Sequence, residues 1–229
     1  MKIKGLQKLT LLDFPGEIAA TVFTGGCNLR CRFCHNASLV LPDRFGEDID
    51  EEELFRFLDS RRGKLGGVCI SGGEPTLWSD LPDFIAKVRA MGFKIKLDTN
   101  GTRPDVIEGL ISRGLLDYIA MDIKNSASLY PLTVGIADFD TSVIEKSIAV
   151  IRTSGIEHEF RTTLVAGLHT PESISAIAEM ISFDEKYFLQ KFVDSGDLIE
   201  DGYTALREAE TKKIFELVRE KIPTVTLRG

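Results

Sequence analysis

The sequence contains no dense run of lysine or arginine; pairs such as Arg61-Arg62, at what reads as a helix end, are as far as they go. With a net charge of −7 this leaves no basic patch, and nucleic-acid binding is not expected. No apolar stretch approaches the roughly 18 residues that a membrane-spanning helix needs. The first residues, Met1-Lys2-Ile3-Lys4-Gly5, lack the apolar run of a secretory signal, so the expected setting is cytoplasmic. Cysteine is sparse, four in all, and three of the four fall within eight residues. In a reducing compartment that crowding points to metal or redox chemistry rather than to structural disulfides. Repeats, low-complexity tracts and linkers are absent as well. Together with 43% hydrophobic and 28% charged residues, this leads us to expect one domain over residues 1–229.

What the sequence does have is alternation. Short β-branched runs, beginning with Ile18–Phe23 and Val68–Ile70, take turns with amphipathic segments. Asp50 and Glu53 form a capping-box pattern ahead of Leu54, Phe55 and Leu58. Leu81, Phe84, Ile85 and Val88 fall on one helical face. Phe93–Leu97, Tyr118–Ile123, His158–Leu164 and Tyr187–Phe192 read as further strands. Helices are expected from Pro104 to Leu110, from about Asp140 with Ile144, Ile148 and Ile151 on one face, and from Pro171 behind an N-capping Thr170. Residues 125–139 show no period and read as a loop. A last helix (204–220) and a short strand (225–227) follow a core of about 16–193. Six strand–helix units joined by right-handed crossovers predict an α/β fold, a partial (β/α)6 barrel too short to close as an eight-fold one.

The chemistry concentrates at Cys27-Asn28-Leu29-Arg30-Cys31-Arg32-Phe33-Cys34. A Cys-x3-Cys-x2-Cys loop can wrap three thiolates around one soft metal centre. Three ligands on a [4Fe–4S] cluster leave one iron open to a small molecule. Gly25-Gly26 allow the tight turn that precedes the loop. Zinc would want a fourth ligand, which His35 or Cys69 could supply, but only one Cys-x2-Cys-like pair is present. Cys69, mid-strand, reads as a small buried residue. Asp98 and Asp122 end strands at the carboxyl edge where α/β sites lie, although helix capping would also suit such acids. Lys124 alone would read as a solvated lysine, Trp78 as packing, and His35 and His158 as structural or exposed.

The Cys-x3-Cys-x-Phe-Cys loop, followed after the next strand by Ser71-Gly72-Gly73-Glu74-Pro75, resembles the signature of the radical S-adenosylmethionine (SAM) superfamily. Leu12-Asp13-Phe14-Pro15-Gly16, Cys34-His35-Asn36, Asp98-Thr99-Asn100-Gly101 and Met121-Asp122-Ile123-Lys124 are similar to the glycyl-radical-enzyme activating enzymes, most of all to the activators of anaerobic ribonucleoside-triphosphate reductase. The likeness covers about residues 6–193. It implies that Cys27, Cys31 and Cys34 bind the cluster, with Phe33 shielding it. Gly72, Gly73 and Glu74 would hold the amino end of SAM, Lys124 its carboxylate, and Asn36, Arg161 and Thr163 would flank it. Asp98, Thr99 and Asp122, with a backbone carbonyl near Ala120, match a monovalent-cation site of the formate-lyase activators.

The resemblance implies reductive cleavage of SAM to a 5′-deoxyadenosyl radical, which then makes a glycyl radical on a partner enzyme. That partner is expected to be the large subunit of anaerobic ribonucleotide reductase, and the electron donor a flavodoxin or ferredoxin. Formate-lyase activators typically carry Asp-Gly-Pro-Gly where this chain has Asp13-Phe14-Pro15-Gly16, and Leu-Pro-aromatic-His where it has Leu189-Gln190-Lys191-Phe192. With only Cys69 spare, one cluster is the ceiling. Activation of another glycyl radical enzyme, a radical SAM reaction on a small molecule or peptide, and a non-catalytic iron–sulfur or zinc protein are the competing readings.

Overall fold

Strands that are apolar on one face and polar on the other need helices on the first and something charged to meet the second. Both requirements are met in the computed structural model, which describes residues 1–229 and contains one eight-stranded sheet whose spatial order is the order of the chain. β1 (Ile3–Thr10) runs antiparallel to β2 (Ala19–Thr24). From β2 onward the sheet is parallel, through β3 (Gly67–Gly72), β4 (Lys94–Thr99), β5 (Tyr118–Asp122), β6 (Glu157–Leu164), β7 (Tyr187–Lys191) and β8 (Thr226–Arg228).

A short α1 (Ala37–Val40) follows the cysteine loop. The crossovers are α2 (Glu51–Asp59), α3 (Leu81–Ala90), α4 (Pro104–Ser112), then, after a one-turn α5 (Tyr130–Val134), α6 (Ser142–Thr153), α7 (Pro171–Met180) and α8 (Glu208–Lys221). β2 to β7, each followed by its crossover, are the six units of a partial (β/α)6 barrel. Both expected N-caps form, although at α2 Glu53 does not return the bond that a full capping box would have. Asp50 accepts from Glu53 N–H at 2.9 Å, and Thr170 and Ser173 close a reciprocal capping box. The apolar stripes of α3, α6 and α7 are buried against the sheet in one core that extends from Ile3 to Val225. No helix is long and apolar enough to cross a membrane.

Three features depart from the sequence reading. β1 is an edge strand with a mixed surface, so it carries no apolar alternation to announce it. Residues 125–139, expected as loop, contain α5, which at five residues is too short to show a helical stripe. The final helix begins at Glu208 rather than near 204; the short strand expected after it does form, as β8, parallel to β7.

Leu12-Asp13-Phe14-Pro15-Gly16 closes the amino-terminal end of the barrel. Thr10 Oγ1 accepts from the N–H groups of Leu12 and Asp13, turning the chain inward, and Asp13 accepts from Thr21 Oγ1 at 2.5 Å. Phe14, 3% exposed, then packs on Ala19 and on Tyr118, with ring centroids 6.1 Å apart. Replacing Phe14 with Ala is expected to cost about 3 kcal/mol of unfolding free energy in urea denaturation. A loss below about 1 kcal/mol would show that the barrel end closes without it.

Candidate active site

Two backbone turns lie against each other at the carboxyl ends of β2 and β3. Glu74 N–H donates to the Gly26 carbonyl at 2.8 Å, and Gly73 N–H to the Thr24 carbonyl at 2.9 Å. A Cβ on Gly73 would sit 2.0 Å from the Gly26 carbonyl oxygen, and one on Gly72 would lie 2.4 Å from Thr24 backbone atoms, at a φ of +115°. Only glycine allows this approach, which seats the Ser71–Glu74 turn on the cysteine loop. The loop is fastened on its other sides too. Trp78 Nε1 donates to Gly25, and Arg30 N–H to Val134 at the end of α5. Residues 195–200, after β7, lie along it as a strap. Ile199 N–H donates to the Cys34 carbonyl at 3.1 Å and Glu200 N–H to that of Arg32 at 2.9 Å. Asp197 receives Ala37 N–H on its carbonyl and Ser38 N–H on its carboxylate.

Inside these fastenings is a cavity of about 350 Å³. Thirteen of the fourteen residues expected from sequence line it: Cys27, Cys31, Phe33, Cys34 and Asn36 from the loop, Gly72 and Gly73 at the end of β3, Asp98 and Thr99 from β4, Asp122 and Lys124 at the end of β5, and Arg161 and Thr163 from β6. Burial pushes the Cys27 thiol up to about 11 and the Cys31 thiol to about 12, and raises Cys34 as well, while Lys124 pulls all three the other way. Cys27 Sγ accepts from Leu29 N–H at 3.4 Å and lies 3.7 Å from Asn100 Nδ2. The three thiols share one cavity, yet no three acid, His or Cys side chains close around a single point. Three soft thiolate donors in one cavity, with no fourth cysteine among its lining residues, fit an iron–sulfur cluster that keeps one iron open.

Opposite the thiols is a group of buried charges. Arg161 Nε donates to Asp122 at 2.8 Å and its Nη1 reaches Asp98 at 3.4 Å. Lys124 Nζ donates to Asp122 at 3.1 Å, and Lys96 Nζ to Asp98. Burial is the largest single influence and works against both charged acids, but the cationic partners together outweigh it, Arg161 with Lys96 at Asp98 and Arg161 with Lys124 at Asp122. Both carboxyls are held below the usual range, Asp122 far below. The same pairing with Asp122 raises Lys124 against its own burial. Neither acid caps a helix; the N-cap of α4 is Arg103.

Glu74 is the exception among the fourteen. Its side chain turns into the protein, where its carboxylate accepts from Thr76 N–H (3.1 Å) and Oγ1 (2.5 Å), Thr99 Oγ1 (2.9 Å) and Asn100 N–H (2.6 Å). It is fully buried and ties the β3 turn to the end of β4. Sequence reasoning also missed Lys96, although an i, i+2 spacing on a strand places it on the face of Asp98. It missed His169, which has no local signal. Val165 N–H donates to His169 Nδ1 at 3.0 Å, and Nε2 lies 2.9 Å from the Lys124 carbonyl, the pattern of a neutral ring donating from Nε2. His169 also meets the edge of Phe33 at 6.5 Å. Of the other residues weighed, His158 pairs with Glu185, His35 lines the cavity and Cys69 is fully buried.

A family model described as the radical SAM superfamily matches residues 21–183. The chain is 31% identical to a Methanocaldococcus jannaschii protein named as a glycyl-radical enzyme activating enzyme, over 99% of this chain and 95% of that one. It is 34% identical to the pyruvate formate-lyase-activating enzyme of Listeria monocytogenes, over 54% of this chain and 53% of the relative. Among solved structures it superposes on a radical SAM methyltransferase from Sphaerobacter thermophilus with a TM-score of 0.74, covering 94% of this chain and 67% of that one; at 14% identity the likeness is one of fold.

Burial pushes the His169 imidazole below its ordinary value. The unfolded chain takes up this proton as pH falls through about 6.5, whereas the folded chain resists it. Its contribution to stability is therefore full above that pH and is lost as the pH falls further. His35, lowered by burial and by Lys124, acts with the same sign. In urea midpoints measured from about pH 7 to about pH 5.5, His169→Gln is expected to flatten the decline and leave the His35 share. An unchanged slope would mean that the folded ring is already charged.

Proposed function

Since this chain belongs to the radical SAM superfamily and is an enzyme of the glycyl-radical-enzyme activating kind, we propose that its partner is anaerobic ribonucleoside-triphosphate reductase, on whose large subunit it generates the glycyl radical. The observation that carries the reading is the one cavity that sets three thiols against the Asp122–Lys124–Arg161 group. Cys27, Cys31 and Cys34 hold the [4Fe–4S] cluster, and the backbone of Gly72 and Gly73 meets the amino end of SAM. Lys124, whose charge acts on all three thiols, takes the carboxylate. Asn36, Thr99, Arg161 and Thr163 flank the bound SAM, and Phe33, 5% exposed, keeps water from the cluster side. Glu74 serves by fixing the turn rather than by contact. A bound cluster would supply the one electron needed to split the sulfur–C5′ bond of SAM into methionine and a 5′-deoxyadenosyl radical, the species that would take a hydrogen atom from the glycine Cα.

Orientation and exclusion of water are what the protein adds to this chemistry. Reductase rather than formate-lyase as partner is supported by the two motif departures at Asp13–Gly16 and Leu189–Phe192. The near full-length match to the M. jannaschii protein, against a half-length match to the formate-lyase activator, supports the glycyl-radical activating kind in general and does not bear on which partner is used. A flavodoxin or ferredoxin would supply the electron, in a cytoplasm free of oxygen, and residues 1–229 would act as one domain.

Anaerobically reconstituted protein given SAM, a strong reductant and the reductase is expected to form 5′-deoxyadenosine together with a glycyl radical doublet in the electron paramagnetic resonance spectrum. Cys34→Ala should form neither. A doublet on formate-lyase but not on the reductase would move the assignment to the sibling partner. Absence of 5′-deoxyadenosine with full iron content and either partner present would refute the activase reading.

A further inference from the structure

The monovalent cation that the resemblance implies beside Asp98 and Asp122 does not fit the side chains found there. An alkali ion is bound through oxygens with free lone pairs and little competing positive charge. All four carboxylate oxygens already carry a cationic donor. Asp98 Oδ1 receives Lys96 Nζ, and its Oδ2 receives Arg161 Nη1 at 3.4 Å and Ser71 Oγ at 3.1 Å. Asp122 Oδ1 receives Arg161 Nε at 2.8 Å and its Oδ2 receives Lys124 Nζ at 3.1 Å. The Thr99 hydroxyl, another expected ligand, donates to Glu74 at 2.9 Å and accepts from Gly101 N–H at 3.1 Å. The Ala120 segment is engaged in the β4–β5–β6 ladder.

Lys96 is the unusual member of this set. Its side chain is 2% exposed, and apart from Asp98 its ammonium has only Cys69 Sγ at 3.9 Å and the face of Tyr118 at 5.9 Å. A buried ammonium persists only where an anion answers it, and Asp98 is the only acid it meets. The ion-paired network continues from Arg161 to Glu159 at 3.9 Å and on to Arg228, which grips Glu159 with two bonds of 3.0 Å. Its three acids stand against four bases, Lys96, Lys124, Arg161 and Arg228, so one positive charge is in excess. Glu74 lies outside this set, its charge met by hydrogen-bond donors. One surplus charge suits one carboxylate of an incoming ligand, and a second cation would double the excess in a poorly solvated place.

We infer that Lys96, with Arg161, takes the place of the monovalent cation, so that the SAM pocket of this chain works without an added alkali ion. Lys96 is thereby a positioning residue. It holds Asp98, which holds Arg161 and, through Asp122, the Lys124 ammonium, the more exposed of the two cations that line the cavity. The inference rests on the reading of this cavity as the SAM site.

The test is the dissociation constant for SAM, measured by equilibrium dialysis under argon on the cluster-loaded protein, in choline chloride and in potassium or sodium chloride of equal ionic strength. The wild type is expected to bind equally well in all three salts. Lys96→Met, which keeps the length and removes the charge, should bind about tenfold more weakly in choline. Potassium or sodium, entering the vacated place beside Asp98, should restore most of that loss, a rescue that a purely structural lysine would not show. Adding Asp98→Asn to Lys96→Met removes both charges and should abolish the rescue. Distinctly tighter wild-type binding in potassium or sodium than in choline would overturn the inference, whether or not the variants fold. So would wild-type affinity of Lys96→Met in choline. Absence of SAM binding in every salt, with iron content complete, would overturn the reading of the cavity and this inference with it.

Discussion

A guanidinium inside a barrel must be answered by anions, and Arg161 donates hydrogen bonds to two of them, on different strands. Asp122 is its direct neighbour in the β5–β6 ladder, while Asp98 lies one strand further, opposite Ala120. Arg161 therefore reaches across β5 to join three strands, and each strand must stand in its present register for the reach to succeed. A slip of one residue in β6 would turn Arg161 to the helix side and bring Phe160 into the polar interior. Arg228 does the same from the far edge, reaching from β8 over the Phe188 ring, 3.3 Å from its centroid, to Glu159 on β6. The apolar faces place the helices, and these crossings set the strands against one another.

Much of the outer architecture was legible because it rests on local periods. Helical stripes such as Leu81-Phe84-Ile85-Val88, the Asp50 and Thr170 caps, and six apolar strand runs each speak within about ten residues of sequence. The cysteine loop and the Gly72-Gly73 turn were legible for the same reason, as was the position of acids at strand ends. What was missed depends on partners distant in sequence. Lys96 alternates with apolar neighbours and so reads as a solvent-facing residue, until the barrel interior proves to be the polar side. His169 acts on a carbonyl 45 positions away. The side-chain direction of Glu74 follows from Thr76, Thr99 and Asn100 meeting it, which no spacing within its own motif encodes.

The same division explains how a loop with few contacts of its own can have a defined shape. Cys27 to Asn36 has no regular structure before α1, and its form is imposed from outside by the β3 turn, by the end of α5 and by the 195–200 strap. Asn100 adds a polar tie, donating to Asn28 Oδ1 at 3.0 Å and receiving Thr102 N–H and Oγ1 on its own carbonyl oxygen. A loop shaped this way is rigid in proportion to the barrel beneath it.

The strap has a temporal meaning as well. The bonds that Ser38 N–H donates to the Asp197 carboxylate and that Ser195 Oγ donates to the His35 carbonyl close sequence separations of 159 and 160 residues. Contacts that span so much chain carry a high loop-closure cost, so they are expected among the later ones to form. On that order, until β7 has docked and delivered residues 195–200, the cysteine loop is held only by the β3 turn and the end of α5 and lacks its third fastening. Afterwards the three cysteines are spaced by the finished barrel. Chain closure thus divides the life of this site into an early period, when metal delivery meets a partly fastened loop, and a later one, when it meets a preformed mould.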